Sequence, residues 1–163
     1  MNNKRVVLLL GTNLGNKKKN LEEAKIQIRH VLGDIGIQSA VYQTKAVGFV
    51  GDDFYNQIIL IETYENPFSL LEKLKSIEID MGRTRKTINK SYTSRIIDID
   101  ILLYSDWVIS SSILQIPHRQ ILEREFVGEI LIGIIPNHFH PVLMQPMKDI
   151  FEVGNLFTKI IQE

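Results

Sequence analysis

Residues 95–104 read Arg-Ile-Ile-Asp-Ile-Asp-Ile-Leu-Leu-Tyr, an apolar run broken after its opening arginine only by two acids spaced two apart. The run is short and rich in β-branched residues, so it reads as a strand, in which alternate side chains share a face. Asp98 and Asp100 then point the same way, and Ile97, Ile99, Ile101 and Leu103 point the other. If the acids merely marked a solvated face, Ile96, Leu102 and Tyr104 beside them would be polar too, and none is. Two like charges roughly 7 Å apart among apolar groups need a compensating cation or a raised pKa. Two readings stay open from these residues. One is Mg²⁺, which takes one or two carboxylates and completes its shell with water and phosphate oxygens. The other is a partly exposed strand that uses charge against edge pairing.

The stretch leading into this strand carries five cations, Arg83, Arg85, Lys86, Lys90 and Arg95, and no acid. By itself a charge run is most simply a solvated loop. Next to a carboxylate pair it suggests a bound polyanion, with metal bridging acid to phosphate. A nucleic-acid patch is disfavoured, because 19 basic residues balance 19 acidic ones over the whole chain. Cysteine is absent, which excludes a disulfide framework, thiolate metal sites and cysteine nucleophiles. No apolar run approaches the ~20 residues of a membrane span. The start, Met1 to Arg5, leads into a strand pattern without the apolar segment of a signal peptide. The expectation is one cytoplasmic domain over residues 1–163, with no membrane or nucleic-acid partner.

Along the chain, residues 6–10 are a continuous apolar run stopped by Gly11, a buried strand. Leu21, Ala24, Ile28, Val31 and Leu32 predict a helix over 16–32, which Gly33 can end. Residues 35–43 predict a strand, followed by a break around Gly48 and Gly51, and residues 54–63 a stronger one. Asn66-Pro67 starts a second helix whose face carries Leu70, Leu74, Ile77 and Met81, with Gly82 at its end. Residues 126–135 read as helical, 136–146 as irregular, and 148–162 as a terminal helix interrupted by Gly154. Strand, helix, strand, strand, helix, strand is the α+β, ferredoxin-like βαββαβ order with an antiparallel sheet, here carrying a C-terminal helical extension.

Gly-Thr-Asn-Leu-Gly at 11–15 sits between strand and helix, yet matches neither standard phosphate-loop fingerprint and reads first as a structural turn. His138 and His140 lack a third ligand nearby, so packing or surface roles are the default. His118 sits among Arg119 and Arg124, where a surface and a catalytic role are both open.

Taken together, the motifs resemble the 6-hydroxymethyl-7,8-dihydropterin pyrophosphokinase family over nearly the whole chain. The matching pieces run in order: Gly11-Thr12-Asn13-Leu14-Gly15, Tyr42-x-Thr44 with Gly48, Phe54-x-Asn56, Gly82-Arg83-x-Arg85, Arg95-x-x-Asp98-x-Asp100, Pro117-His118 and Arg124-x-Phe126. The resemblance implies transfer of pyrophosphate from ATP to the hydroxymethyl group of a reduced pterin, releasing AMP, on the route to folate. It implies two Mg²⁺ ions at Asp98 and Asp100, and charge neutralisation by Arg83 and Arg95. It implies nucleotide contacts at Glu78, Arg85, Tyr92, Arg95, Ile101, His118 and Arg124. Pterin contacts would fall to Thr44, Val47, Phe54, Asn56 and Phe126, the two phenylalanines sandwiching the flat ring. ATP and the pterin are the expected partners, and a monomer the expected state. This chain departs from the family's usual pattern at Lys45-Ala46-Val47, at Tyr92-Thr93-Ser94 and at Ser112-Ile113-Leu114. A metal-dependent phosphohydrolase and a non-catalytic nucleotide-binding regulatory module are the rival readings.

Overall fold

A computed structural model describes residues 3–46, 50–82, 96–151 and 159–161. The first strand, β1 (Lys4–Thr12), is buried from Val6 onward, because it lies in the interior of a sheet with packed layers on both faces. Asn16 then caps α1 (Lys17–Leu32), its side chain accepting the Lys19 backbone N–H at 3.1 Å. The helix stops at Gly33, whose φ of +106° suits glycine. Next come β2 (Ile35–Gln38), β3 (Val41–Thr44) and β4 (Phe54–Thr63). Asn66 caps α2 (Pro67–Asp80), accepting the N–H groups of Phe68 and Ser69 at 3.0 and 2.9 Å. The chain continues through β5 (Asp98–Tyr104), the small hairpin β6 (Ile109–Ser110) and β7 (Gln115–Ile116), and α3 (Gln120–Glu123). It closes with α4 (Glu125–Ile134), α5 (Met147–Ile150) and β8 (Lys159–Ile161).

The main sheet is antiparallel in the order β5-β1-β4-β3-β8, with β2 beside β3 on the same flank of β4. Counting β2 and β3 as one interrupted strand, this is the expected βαββαβ arrangement, with β4 inserted between β1 and β2/β3. One face packs on α1 and α2 through Leu21, Ala24, Ile28, Leu70, Leu74 and Ile77. The other packs on α3, α4 and α5 through Ile121, Val127, Ile130, Leu131 and Met147. Among the described residues no helix is long and apolar enough to cross a membrane.

Three local expectations are corrected. The single strand over 35–43 is two, because Ser39 takes over the bonds to β4: its hydroxyl accepts the Ile58 N–H at 3.0 Å, and its N–H donates to the Ile58 carbonyl at 2.9 Å. Among the described residues of the terminal segment 148–162, those up to Ile150 belong to the helix α5 (Met147–Ile150), whereas Lys159–Ile161 form β8 on β3. An open strand edge offers unpaired backbone groups that another strand satisfies and a helix does not. In β5 the register against β1 shifts between Val7 and Leu8, which pair with Leu103 and Ile101. Leu102 is therefore an extra residue, and Leu103 turns to the α4 face while Tyr104 joins the α1–α2 core.

Candidate active site

Register places the polar residues. Gly11 pairs with Asn56 on one side and Asp98 on the other, while Tyr42 pairs with Asn56 and Thr44 with Phe54. Paired residues share a face, as do residues two apart. Thr44, Phe54, Asn56, Gly11, Asp98 and Asp100 thus form one band across four strands, on the α4 side, just past the apolar contacts of Leu9 and Ile58. Asn56 is buried, and its amide N–H₂ donates to the Thr44 hydroxyl at 2.8 Å and the Tyr42 carbonyl at 3.3 Å. A Cβ at Gly11 would stand 3.4 Å from the Asn56 Oδ1 and 3.8 Å from the Phe54 ring, so glycine keeps the floor between amide and aspartate clear. Phe126 is only 6 % exposed and belongs to the α4 core, with the Arg124 guanidinium 4.6 Å over its ring.

Among the described residues no further strand pairs with the outer edge of β5, and two site residues serve its backbone. Glu78, buried on α2, accepts the Ile99 N–H at 2.8 Å, and the His118 N–H donates to the Leu102 carbonyl at 2.9 Å. Between them opens a cavity of about 330 Å³ whose walls include Glu78, Asp98, Asp100, Ile101, His118 and Gln120. His118 Nδ1 accepts the Gln120 backbone N–H at 3.1 Å, so the neutral ring carries its proton on Nε2. Burial, then the neighbouring Arg119 guanidinium, hold this imidazole below its usual pKa, with Asp98 and Glu123 pulling the other way.

The donor set fits magnesium. Asp98 and Asp100 are half-buried, share a face and border the cavity. Among the described residues no cluster of three or more histidines and carboxylates forms a closed protein shell. Two carboxylates that leave the remaining positions to water and phosphate oxygens are what Mg²⁺ ordinarily uses.

Of the residues expected at the site, Thr44, Phe54, Asn56, Glu78, Asp98, Asp100, Ile101, His118, Arg124 and Phe126 are described, and the first eight fall on the band or the cavity wall. Phe126 is core, joined to the site through Arg124, whose Nη1 donates to Gln120 Oε1 at 3.3 Å. Val47, Arg83, Arg85, Tyr92 and Arg95 lie outside the described residues, as does Gly48.

Sequence reasoning missed three contributors. Gln120 donates to Asp100 Oδ2 at 2.9 Å. Asn13, buried, donates to the Asp52 carbonyl at 3.2 Å, and Lys17 donates to the Asp53 carbonyl at 3.0 Å while lying 4.6 Å over the Tyr55 ring. These last two pin the approach to Phe54. The asparagine of the 11–15 turn was the available signal for them, whereas nothing local marks Gln120. His140 is structural, its Nδ1 accepting the N–H groups of Val142 and Leu143 at 3.2 Å each.

Residues 7–136 match the sequence pattern of the 7,8-dihydro-6-hydroxymethylpterin-pyrophosphokinase (HPPK) family. The chain is 36% identical over 145 residues to the 2-amino-4-hydroxy-6-hydroxymethyldihydropteridine pyrophosphokinase of Aquifex aeolicus, covering 88% of each. It is 37% identical over 149 residues to the folic acid synthesis protein fol1 of Schizosaccharomyces pombe, covering 90% of this chain but 20% of that longer protein. Its fold is similar to that of an HPPK-DHPS crystallised with substrates, with a TM-score of 0.71 at 16% identity over 92% of this chain and 43% of the other. A Plasmodium falciparum HPPK-DHPS gives a TM-score of 0.74 at 21% identity, and covers 92% of this chain and 44% of that one. At these identities the likeness concerns the fold.

Proposed function

The chain belongs to the 7,8-dihydro-6-hydroxymethylpterin-pyrophosphokinase family, and on that premise we propose that it is a 2-amino-4-hydroxy-6-hydroxymethyldihydropteridine diphosphokinase, transferring pyrophosphate from ATP to 6-hydroxymethyl-7,8-dihydropterin in folate biosynthesis. The hydroxymethyl oxygen bonds to the β-phosphorus of ATP, and the bond from that phosphorus to the α,β-bridging oxygen breaks. AMP leaves with the bridging oxygen, and the hydroxyl proton passes to solvent.

The observation that carries this reading is the double pairing of Gly11. Asn56, whose N–H₂ is spent on Thr44 and Tyr42, leaves Oδ1 beside the open floor as an acceptor for a heterocycle's N–H edge. Asp98 stands on the opposite flank of the same glycine. Adjacent strands lie about 4.8 Å apart, so amide and carboxylate are roughly 10 Å apart across the sheet, a span that a bicyclic ring with a one-carbon arm can bridge. Phe54, Thr44 and Val47 contact the ring in this reading, and Phe126 supplies its second face. Mg²⁺ held by Asp98 and Asp100, in two ions, would neutralise triphosphate charge and polarise the phosphorus–oxygen bonds.

His118 presents its Nε2–H as a neutral donor to a phosphate oxygen, a form its lowered pKa maintains at pH 7. Arg83 and Arg95 neutralise charge as it moves onto AMP, and Arg85, Tyr92, Ile101 and Arg124 contact the nucleotide. Glu78 holds the strand that carries both aspartates. The whole chain acts as one domain over 1–163, as a cytoplasmic monomer, with ATP and the pterin as its partners and neither nucleic acid nor membrane. The test mixes protein, ATP, Mg²⁺ and the reduced pterin and identifies the nucleotide product. AMP formed only when pterin is present supports the reading. ADP, or phosphate released without pterin, points to a hydrolase, and ATP binding without turnover points to a regulatory module.

A further inference from the structure

Gln120 opens α3, half-buried, and touches three residues of the proposed site at once. Its Nε2 donates to Asp100 Oδ2 at 2.9 Å, its Oε1 accepts from Arg124 Nη1 at 3.3 Å, and its backbone N–H donates to His118 Nδ1 at 3.1 Å. Joining a carboxylate to a guanidinium through one side chain needs a donor and an acceptor on the same neutral group, which a carboxamide has. Glutamate at this position would set a third carboxylate against Asp98 and Asp100, and lysine could not accept from Arg124. Arg124 in turn lies 4.6 Å over the ring of Phe126.

We propose that Gln120 is a positioning residue. It fixes the orientation of the Asp100 carboxylate toward the cavity, and it ties that carboxylate to the arginine resting on Phe126. The inference depends on Asp100 acting as a magnesium ligand, as argued above. Partners that orient a ligating carboxylate are worth about ten- to a hundredfold in metal affinity or activity.

The decisive comparison uses the full chain with Gln120→Glu, Gln120→Met and Asp100→Asn. Calorimetric binding of the Mg²⁺ complex of a non-hydrolysable ATP analogue, the Mg²⁺ concentration for half-maximal rate, and metal-free thermal melting are measured for each. Both Gln120 variants should weaken nucleotide binding and raise the Mg²⁺ requirement by about tenfold or more. Excess Mg²⁺ should recover much of the rate. Metal-free melting should stay near wild type for Gln120→Met and fall for Gln120→Glu, whose added carboxylate then faces Asp100 with no metal between them. Glutamine and glutamate are the same shape, so Gln120→Glu stays informative if the methionine variant folds poorly. If Gln120→Glu binds the Mg²⁺–nucleotide complex and responds to Mg²⁺ as wild type does, while Asp100→Asn loses both, this inference alone is overturned. If Asp100→Asn itself leaves Mg²⁺ dependence unchanged, the reading of the site fails and the inference with it.

Discussion

Glu78 separates two ideas about how the aspartate strand works. Its carboxylate, 4 % exposed, accepts the Ile99 N–H at 2.8 Å, and Ile99 lies between Asp98 and Asp100. On the outer edge of β5, where no strand of the described residues pairs, it accepts a backbone N–H as a neighbouring strand would. Glu78→Ala removes that acceptor and leaves a small void. A hydrogen bond to a charged group contributes about 1.5–3 kcal/mol, and orphaning a buried N–H costs about 1–3 kcal/mol, partly the same energy counted from the other side. A net loss of about 2–4 kcal/mol follows, which for a chain of this length lowers Tm by roughly 4–16 °C. Glu78→Gln keeps an oxygen in place and should cost no more than about 1.5 kcal/mol. The assay is thermal unfolding followed by circular dichroism without metal, paired with AMP production at saturating substrates. If Glu78 works by holding the strand, Gln preserves most turnover and Ala does not. If Gln is as inactive as Ala, the charge itself meets the nucleotide complex. A Glu78→Ala protein with wild-type melting would refute the anchoring argument outright.

Asp98→Asn and Asp100→Asn should each lower AMP formation by at least about 10²-fold at saturating Mg²⁺, since charge clamping of the phosphates is worth several kcal/mol. Metal-free melting should hold or rise as repulsion between neighbouring acids is relieved, and near-normal turnover would make the carboxylates structural. Phe126→Ala should destabilise the fold by about 3–5 kcal/mol because the ring is core. Phe126→Leu should spare stability to within about 1.5 kcal/mol while weakening pterin binding severalfold and ATP binding less, and calorimetry with each ligand separates the two. Burial pushes the imidazoles of His118, His138 and His140 below their ordinary value of 6.5. The unfolded chain therefore takes up protons first as pH falls. The stability these neutral rings confer is complete above 6.5 and is lost as pH drops from there through their folded values. Denaturant titrations between about pH 7.5 and 5 should show falling stability, and a flat profile would contradict the shifts.

Elements that obey one rule along the chain were legible without coordinates. The stripe Leu21, Ala24, Ile28 and the stripe Leu70, Leu74, Ile77 face one core in the fold, and Asn66-Pro67 starts the second helix. Asp98 and Asp100 share a face because only one residue separates them, and no bulge falls between them. The break at Ser39 was not legible, since it depends on Ile58 standing opposite. Nor was the turn of Leu103 to the α4 face, which follows from a slip of register against β1.

By itself the sequence determined periodicity, the helix start at Asn66-Pro67, the carboxylate pair and the motifs that carry the family likeness, all of which rest on neighbours a few residues apart. Only the tertiary structure decided that Gly11 lies between Asn56 and Asp98, that Glu78 and His118 serve the outer edge of β5, and that Gln120 reaches Asp100. Local spacing follows from the repeat of a helix or strand. Contacts between distant segments follow from register, and one residue of slip moves every side chain to the opposite face.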